Sequence, residues 1–364
     1  MKRHAVVLLM LVIAGSLTGC LFSLNHPVCS SDGALAVFLN PDGTYSLFPE
    51  EGVLHLLCEG GWEPIPAATL SDTGALIAVS PDGTEYLYIE LRSGELFDPT
   101  TSRIYLVDAS LDAIPRLLLE TESQVAKAAW TEEGILLLTF GDEELGVLEA
   151  VSPETGELRP LFDDLLSFEW IEASDRLILI GGDLEGPVGI GSIGRWDPLL
   201  DDGENLGTFV LTEATAEAFQ TMPHSFFWDV SPDGTWIALA LLDQPLIEPT
   251  AEVSVPAIYL IDVEFDTAER VTTGGLIPAF SPDGAWLAYV DTDDGMVGRV
   301  LLRDPLTGET TVVPGTDGVE SMFWIAPERL GVTFEEEDDR SRLVEIDLAS
   351  GRSRALIEQP ELGP

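Results

Sequence analysis

Three acidic stretches have the residue types that hold a cation. Asp291-Thr292-Asp293-Asp294-Gly295 sets Asp291, Asp293 and Asp294 within one short run. Hard cations take carboxylate oxygens at that density, but the run lacks the full calcium-loop spacing and the distal bidentate glutamate. It reads as a weak site for loosely held calcium or other cations, with no resident metal or cofactor expected. Asp201-Asp202-Gly203-Glu204 and Glu335-Glu336-Glu337-Asp338-Asp339 are similar. In so acidic a chain their expected role is that of solvated hairpin tips.

Other chemical patterns are weaker. Gly189-Ile190-Gly191-Ser192-Ile193-Gly194 matches G-x-G-x-x-G. A dinucleotide site needs a strand before it and a helix after it. Here Arg195-Trp196-Asp197-Pro198 follows, with a helix breaker, so a flexible loop is expected. Ser192 lacks the glycine two positions before it that a hydrolase elbow requires. His26, His55 and His224 stand at no zinc spacing. The many acids allow carboxylate pairs of the kind that cleave glycosides, but nothing singles out one pair. No catalytic residue is assigned.

The segments that must position these residues begin with a leader. Met1-Lys2-Arg3-His4 is basic, Ala5 to Ala14 is apolar, and small residues lead to Leu17-Thr18-Gly19-Cys20. That is the layout of a secretory signal, and the last four residues resemble a bacterial lipobox. The resemblance implies a signal peptide over 1–19, lipidation at Cys20, and a tether over 20–25. The expected location is outside the cytoplasm, on the cell membrane or outer membrane, and two acyl chains would hold the anchor stably. No later apolar run is long enough to span a bilayer.

Charge excludes some partners. The chain has 64 acidic and 17 basic residues, a formal net charge of -47. Removing residues 1–19 leaves 15 basic residues and a charge of -49, with Lys127 the only lysine. Such an excess opposes nucleic acid and anionic lipid surfaces. Either an acidic proteome or a salty exterior would account for it. Cys29 and Cys58 remain as a candidate disulfide in a compartment that permits one. The strand placement below sets them on opposite edges of one unit, about 14 Å apart at ~4.8 Å per strand step. That exceeds bridging range, so a bond requires a different register in the first unit.

The rest of the chain is organised by a recurring turn. Ser281-Pro282-Asp283-Gly284 precedes Ala285-Trp286-Leu287-Ala288-Tyr289-Val290, and Ser231-Pro232-Asp233-Gly234 precedes Thr235-Trp236-Ile237-Ala238-Leu239-Ala240. Proline pre-sets one turn dihedral, aspartate bonds locally, and glycine accepts the positive φ. Ser71-Asp72-Thr73-Gly74 is a looser copy leading into Ala75–Val79, and Ser80-Pro81-Asp82-Gly83 follows as a second turn. Turn starts at 31, 71, 131, 173, 231, 281 and 326 are roughly 40 to 60 residues apart, the period of a four-stranded blade. Aromatics stand before the turns at Trp130, Trp170, Trp228, Phe280 and Trp324, where they are expected to pack between units. Apolar runs end in Asp108, Asp262, Asp304 and Asp347. The first unit is expected to place Ala34–Leu39 second, Tyr45–Phe48 third and Val53–Cys58 outermost. The fourth is expected to hold a long insertion, Gly181–Asn205, with an exposed Trp196.

These motifs resemble the repeats of the TolB-like and WD40-like β-propeller family. The resemblance covers residues 26–358 and implies an all-β propeller of four-stranded antiparallel blades, most simply seven, with six or eight as alternatives. Residues 359–364 form a tail. The family motif is structural and implies no catalytic residue. The expected function is a membrane-anchored binding or scaffolding module for a protein or envelope component, with Arg195 and Trp196 in its contact loop. A hydrolase or lyase acting on carbohydrate or peptide at the channel, or a sensor of a small ligand or cation, are the alternatives. The missing nucleophile motifs favour binding.

Overall fold

The computed structural model describes residues 35–39, 45–46, 53–58, 61–64, 74–80, 84–91, 102–108, 114–131, 133–141, 145–183, 188–197, 202–212, 228–242, 256–264, 267–272, 274–292, 298–336 and 340–358. These form antiparallel sheets. β1 (Leu35–Leu39), β2 (Tyr45–Ser46), β3 (Val53–Cys58) and β4 (Gly61–Pro64) make a sheet in the order β2-β1-β3-β4. β5 (Gly74–Val79), β6 (Glu85–Leu91), β7 (Ser102–Asp108) and β8 (Arg116–Thr121) make a sheet in chain order. β9 (Gln124–Thr131), β10 (Gly134–Phe140), β11 (Gly146–Val151), β12 (Leu158–Ile171), β13 (Arg176–Asp183), β14 (Val188–Asp197) and β15 (Asp202–Thr212) join into one seven-stranded sheet.

Three more four-stranded sheets follow in chain order. They are β16 (Trp228–Val230), β17 (Trp236–Leu242), β18 (Pro256–Asp262) and β19 (Thr267–Arg270); β20 (Leu276–Phe280), β21 (Leu287–Asp291), β22 (Arg299–Arg303) and β23 (Thr310–Val312); and β24 (Val319–Ala326), β25 (Arg329–Glu336), β26 (Arg340–Asp347) and β27 (Arg352–Glu358). The first strand of one sheet lies beside the first strand of the next, β5 by β9, β16 by β20 and β20 by β24, and within the seven-stranded sheet β9 lies by β12. The core fills the space between sheets, with Leu137, Ile180, Ile237, Val290 and Val332 fully covered. Each such side chain contributes about 1.5–3 kcal/mol. The outer strands β19 and β23 are short and exposed, which limits the unpaired edge of those two sheets.

The seven-stranded sheet arises because β12 has no break. Its first half pairs with β11 (Val151↔Leu158, Ala150↔Arg159), and its second half pairs with β13 (Trp170↔Leu177, Ile171↔Arg176). One 14-residue strand therefore ends one repeat and begins the next. Asp164, with φ 58, stands where the pairing changes sides.

The turn motif is built as its residues imply. In repeat five the Ser231 N–H donates to the Trp236 carbonyl at 2.9 Å, and the Trp236 N–H returns a bond to Ser231 Oγ at 2.9 Å. Asp233 Oδ1 accepts from Ser231 Oγ at 2.7 Å and from the Thr235 N–H at 3.0 Å. Repeat six repeats the set: Ser281 Oγ to Asp283 at 2.6 Å, and Trp286 N–H to Ser281 Oγ at 2.9 Å. Gly234 and Gly284 take φ of 73° and 71°. Successive turns touch: a Cβ on Gly284 would meet Pro232 Cδ at 3.6 Å, and one on Gly234 would meet Ile171 Cγ2 at 3.2 Å.

Four expectations are corrected. In repeat two, Ser80 makes the motif's bonds, its N–H to the Glu85 carbonyl and the Glu85 N–H to its Oγ, both at 2.9 Å. Gly74–Val79 is therefore a first strand, and the motif's bonds join Ser80 to Glu85; Pro81, Asp82 and Gly83 lie outside the described residues. In repeat one, Val53–Cys58 is not outermost: β3 lies between β1 and β4, because Gly61–Pro64 supplies a further strand. Cys58 is thus on an interior strand, while Cys29, like Cys20, lies outside the described residues. The described residues of the insertion Gly181–Asn205 pair as parts of β13, β14 and β15, and Gly189–Gly194 is strand. Trp196 is half-buried rather than exposed.

Candidate functional site

Side chains on the first strands tie neighbouring sheets together. The buried Trp228 indole N–H donates to Ser167 Oγ at 2.9 Å, joining β16 to β12. The Phe280 N–H donates to Asp229 Oδ2 at 2.6 Å, joining β20 to β16. The Trp324 indole N–H donates to the Ala279 carbonyl at 3.0 Å, joining β24 to β20. Trp228 and Trp324 therefore pack between repeats, as their place before the turn implies, and each spends its polar atom there.

The same strands gather a charged group that the sequence does not bring together. Lys127 on β9 forms an ion pair with the buried Glu169 on β12. Its ammonium lies 5.6 Å from the centroids of both the Phe168 and Trp228 rings, within cation–π range. Asp229 on β16 completes the cluster. Burial, reinforced by the Glu169 carboxylate, pushes its carboxyl up to about 7, while the N–H groups of Phe280 and Val230 and the Lys127 ammonium pull the other way. The only signal in the sequence was that Lys127 is the sole lysine beyond the leader. The cluster bonds inward and reads as a clamp on the first strands.

The surface around β14 differs. Arg195 and Trp196 are adjacent, so strand alternation sends them to opposite faces. Arg195 pairs with Glu204 and lines a cleft of about 170 Å³ with Ser174, Arg176, Asp233 and Thr235. Trp196 lines a cleft of about 150 Å³ with Leu136, Leu161 and Trp170, and meets Phe162 edge-on with centroids 5.1 Å apart. Both clefts are below the usual size of small-molecule sites, about 300–1,000 Å³. Neighbouring side chains occupy the two expected contact residues.

Beyond them β14 and β15 pair on past the last described residue of β13. The last β13 pair is Asp183↔Ile190, but Val188↔Thr212 and Gly189↔Leu211 continue the hairpin. Ile190 and Val210 stand directly opposite each other and are 64% and 49% exposed. Two apolar side chains thus form one exposed cross-strand pair at the end of a hairpin. The glycine-rich run permits this geometry: a Cβ on Gly191 would lie 2.2 Å from the Phe209 ring, which sits across the glycine. Phe209 packs on the core from the inner face and holds the hairpin from behind.

Of the expected cation site, Asp291 is described. Asp291 Oδ2 pairs with Arg299 at 3.2 Å, and Asp291 Oδ1 accepts from Thr272 Oγ1 at 3.5 Å. Asp293 and Asp294 lie outside the described residues, as do His26 and His224. The motif aspartates are structural: burial alone would raise the Asp233 carboxyl, but hydrogen bonds from Ser231 and Thr235 outweigh it and hold it below the ordinary range.

No protein-family model matches the chain, and no curated protein matches it in sequence. Solved structures do match in shape. The β-propeller domain of the Trilobed protease from Pyrococcus furiosus aligns with a TM-score of 0.56 at 15% identity, over 91% of this chain and 94% of that one. An oligogalacturonate lyase in complex with manganese aligns with a TM-score of 0.58 at 12% identity, over 87% of this chain and 84% of that one. TolB from Acinetobacter baumannii aligns with a TM-score of 0.48 at 15% identity, over 76% of this chain. The chain spans only 64% of TolB's length, and that likeness carries no argument. At these identities the matches establish fold alone: four-stranded antiparallel sheets of β-propeller type.

Proposed function

We propose that this chain is a binding module: a β-propeller, lipidated at Cys20 and held outside the cytoplasm, that contacts a protein or envelope component. Seven four-stranded units account for the sheets, two of them sharing β12. The observation that carries the binding role is the exposed Ile190–Val210 pair across β14 and β15. Single exposed apolar residues are ordinary on any surface. A matched pair, projected on a hairpin buttressed by Phe209, suits a contact surface on a rigid scaffold. The small clefts beside Arg195 and Trp196 support surface recognition over enclosure of a small ligand.

Two experiments test the proposal. Growth with a labelled fatty acid should label the native chain and leave Cys20→Ser unlabelled and released from membranes; equal labelling of the two would remove the anchor. Crosslinking and affinity capture from membranes should return a reproducible partner that Ile190→Asp loses while the variant keeps its melting temperature. A partner retained by Ile190→Asp would place the contact elsewhere.

A further inference from the structure

We propose that β15 is a docking edge for an extended, positively charged segment of a partner protein, which adds to the seven-stranded sheet as a further strand. The inference rests on the binding role above and names the class of partner. β15 ends its sheet, so among the described residues no strand pairs with the outer side of its 11-residue backbone. The outer strands β8, β19, β23 and β27 have 6, 4, 3 and 7 residues, so β15 is the longest of these edges. A long edge presents a row of N–H and C=O groups that an extended peptide can complete, and short edges do not.

The usable part of β15 is regular. Gly207–Thr212 pairs with Val188–Ile193 without a break in register, and the one irregularity falls between Ile193 and Gly194. Phe209 fixes this stretch to the core, so an incoming strand meets a preformed template. Beside it the Ile190–Val210 pair offers apolar surface for one side chain of the incomer.

Charge selects among occupants. β13, β14 and β15 carry four acids, Asp183, Asp197, Asp202 and Glu204, against two bases, Arg176 and Arg195. The arginines pair with Asp197 and Glu204, so the three strands carry a net charge of -2, four acids less two bases. The whole chain carries -47. A second copy would bring the same charge and be repelled, whereas a segment rich in arginine or lysine is attracted and steered.

The probe is a peptide of alternating valine and threonine ended with three arginines, compared with the same peptide ended with three glutamates. Binding to the full chain is followed by fluorescence anisotropy, and the bound site by hydrogen exchange. The arginine-ended peptide should bind at least about tenfold more tightly, lose affinity between about 50 and 200 mM salt, and protect amides of residues 207–212. Ile190→Ser with Val210→Ser should weaken it about tenfold without moving the melting temperature. Equal binding of the two peptides, no protection of 207–212 by either, or a peptide-free dimer with those amides protected would overturn the proposal. A captured partner that depends on Ile190 yet leaves 207–212 unprotected overturns strand addition while keeping the binding role.

Discussion

Ionising Asp229 places a second negative charge beside Glu169 in a covered setting, with the Lys127 ammonium close by. Its folded pKa, about 7, lies above the ordinary value, so between those pH values the folded chain holds a proton that the unfolded chain has released. The stabilising contribution is full below the unfolded pKa and is lost as pH rises toward 7. Asp233, Asp304 and Asp347 are shifted down and act with the opposite sign. The comparison must therefore be internal: Asp229→Asn should gain stability relative to the native chain as pH rises from about 4 to about 7. Urea midpoints across that range measure it, and a constant difference would remove Asp229 as the titrating group. Gly284 gives a second case. Its nearest prospective neighbour is 3.6 Å away, so Gly284→Val is not crowded; the cost comes from φ 71. A loss of about 1–2 kcal/mol is expected from denaturation curves. The turn glycine was legible in the sequence because its requirement is local. Asp229 was not, because its environment comes from Lys127, Glu169 and Phe280 on other strands.

Between strands, the indole of Trp228 is the test. Trp228→Phe keeps most of the packing but leaves Ser167 Oγ, fully buried, without that donor. A loss of about 1–3 kcal/mol is expected, and adding Ser167→Ala should recover part of it. Additive losses in the double-mutant cycle would mean that the bond does not couple β12 to β16. Gly191→Ala tests the hairpin: the added methyl would drive Phe209 from its seat, raising hydrogen exchange over 202–212, and Phe209→Ala in the same chain should make room for it. The sequence displayed the repeats through proline, aspartate and glycine at fixed offsets, and repeats five and six, each with one Ser-Pro-Asp-Gly turn, match the structure. Repeat two slipped because two turn signals stand nine residues apart there, starting at Ser71 and Ser80. Only the Ser80–Glu85 bonds decide which one opens the first hairpin. The β14 glycines read as a loop because glycine has low strand preference. In the fold they are strand because Phe209 needs a residue without a side chain beneath it.

For the whole molecule, the charge of -47 means that folding concentrates mutually repelling carboxylates. Added salt should raise the melting temperature from low to near-molar ionic strength, as screening shortens the reach of that repulsion. A flat or falling curve would show that specific pairs, such as Arg329 and Arg354 on Glu345, outweigh the net charge. The propeller class was legible at this scale because repetition reports architecture directly. The β15 edge with Ile190 and Val210 was not, because an edge strand and an exposed apolar pair exist only after long-range pairing. The uninterrupted β12 also has a consequence for how the ring comes apart. Wherever a linker separates two sheets, one can fray while its neighbour stays closed, and a protease can enter. Between repeats three and four there is no linker to open, so both sheets must lose their ladders together. Native-state exchange should show residues 124–183 opening as one cooperative block, and limited proteolysis should spare 158–171 until the block has unfolded.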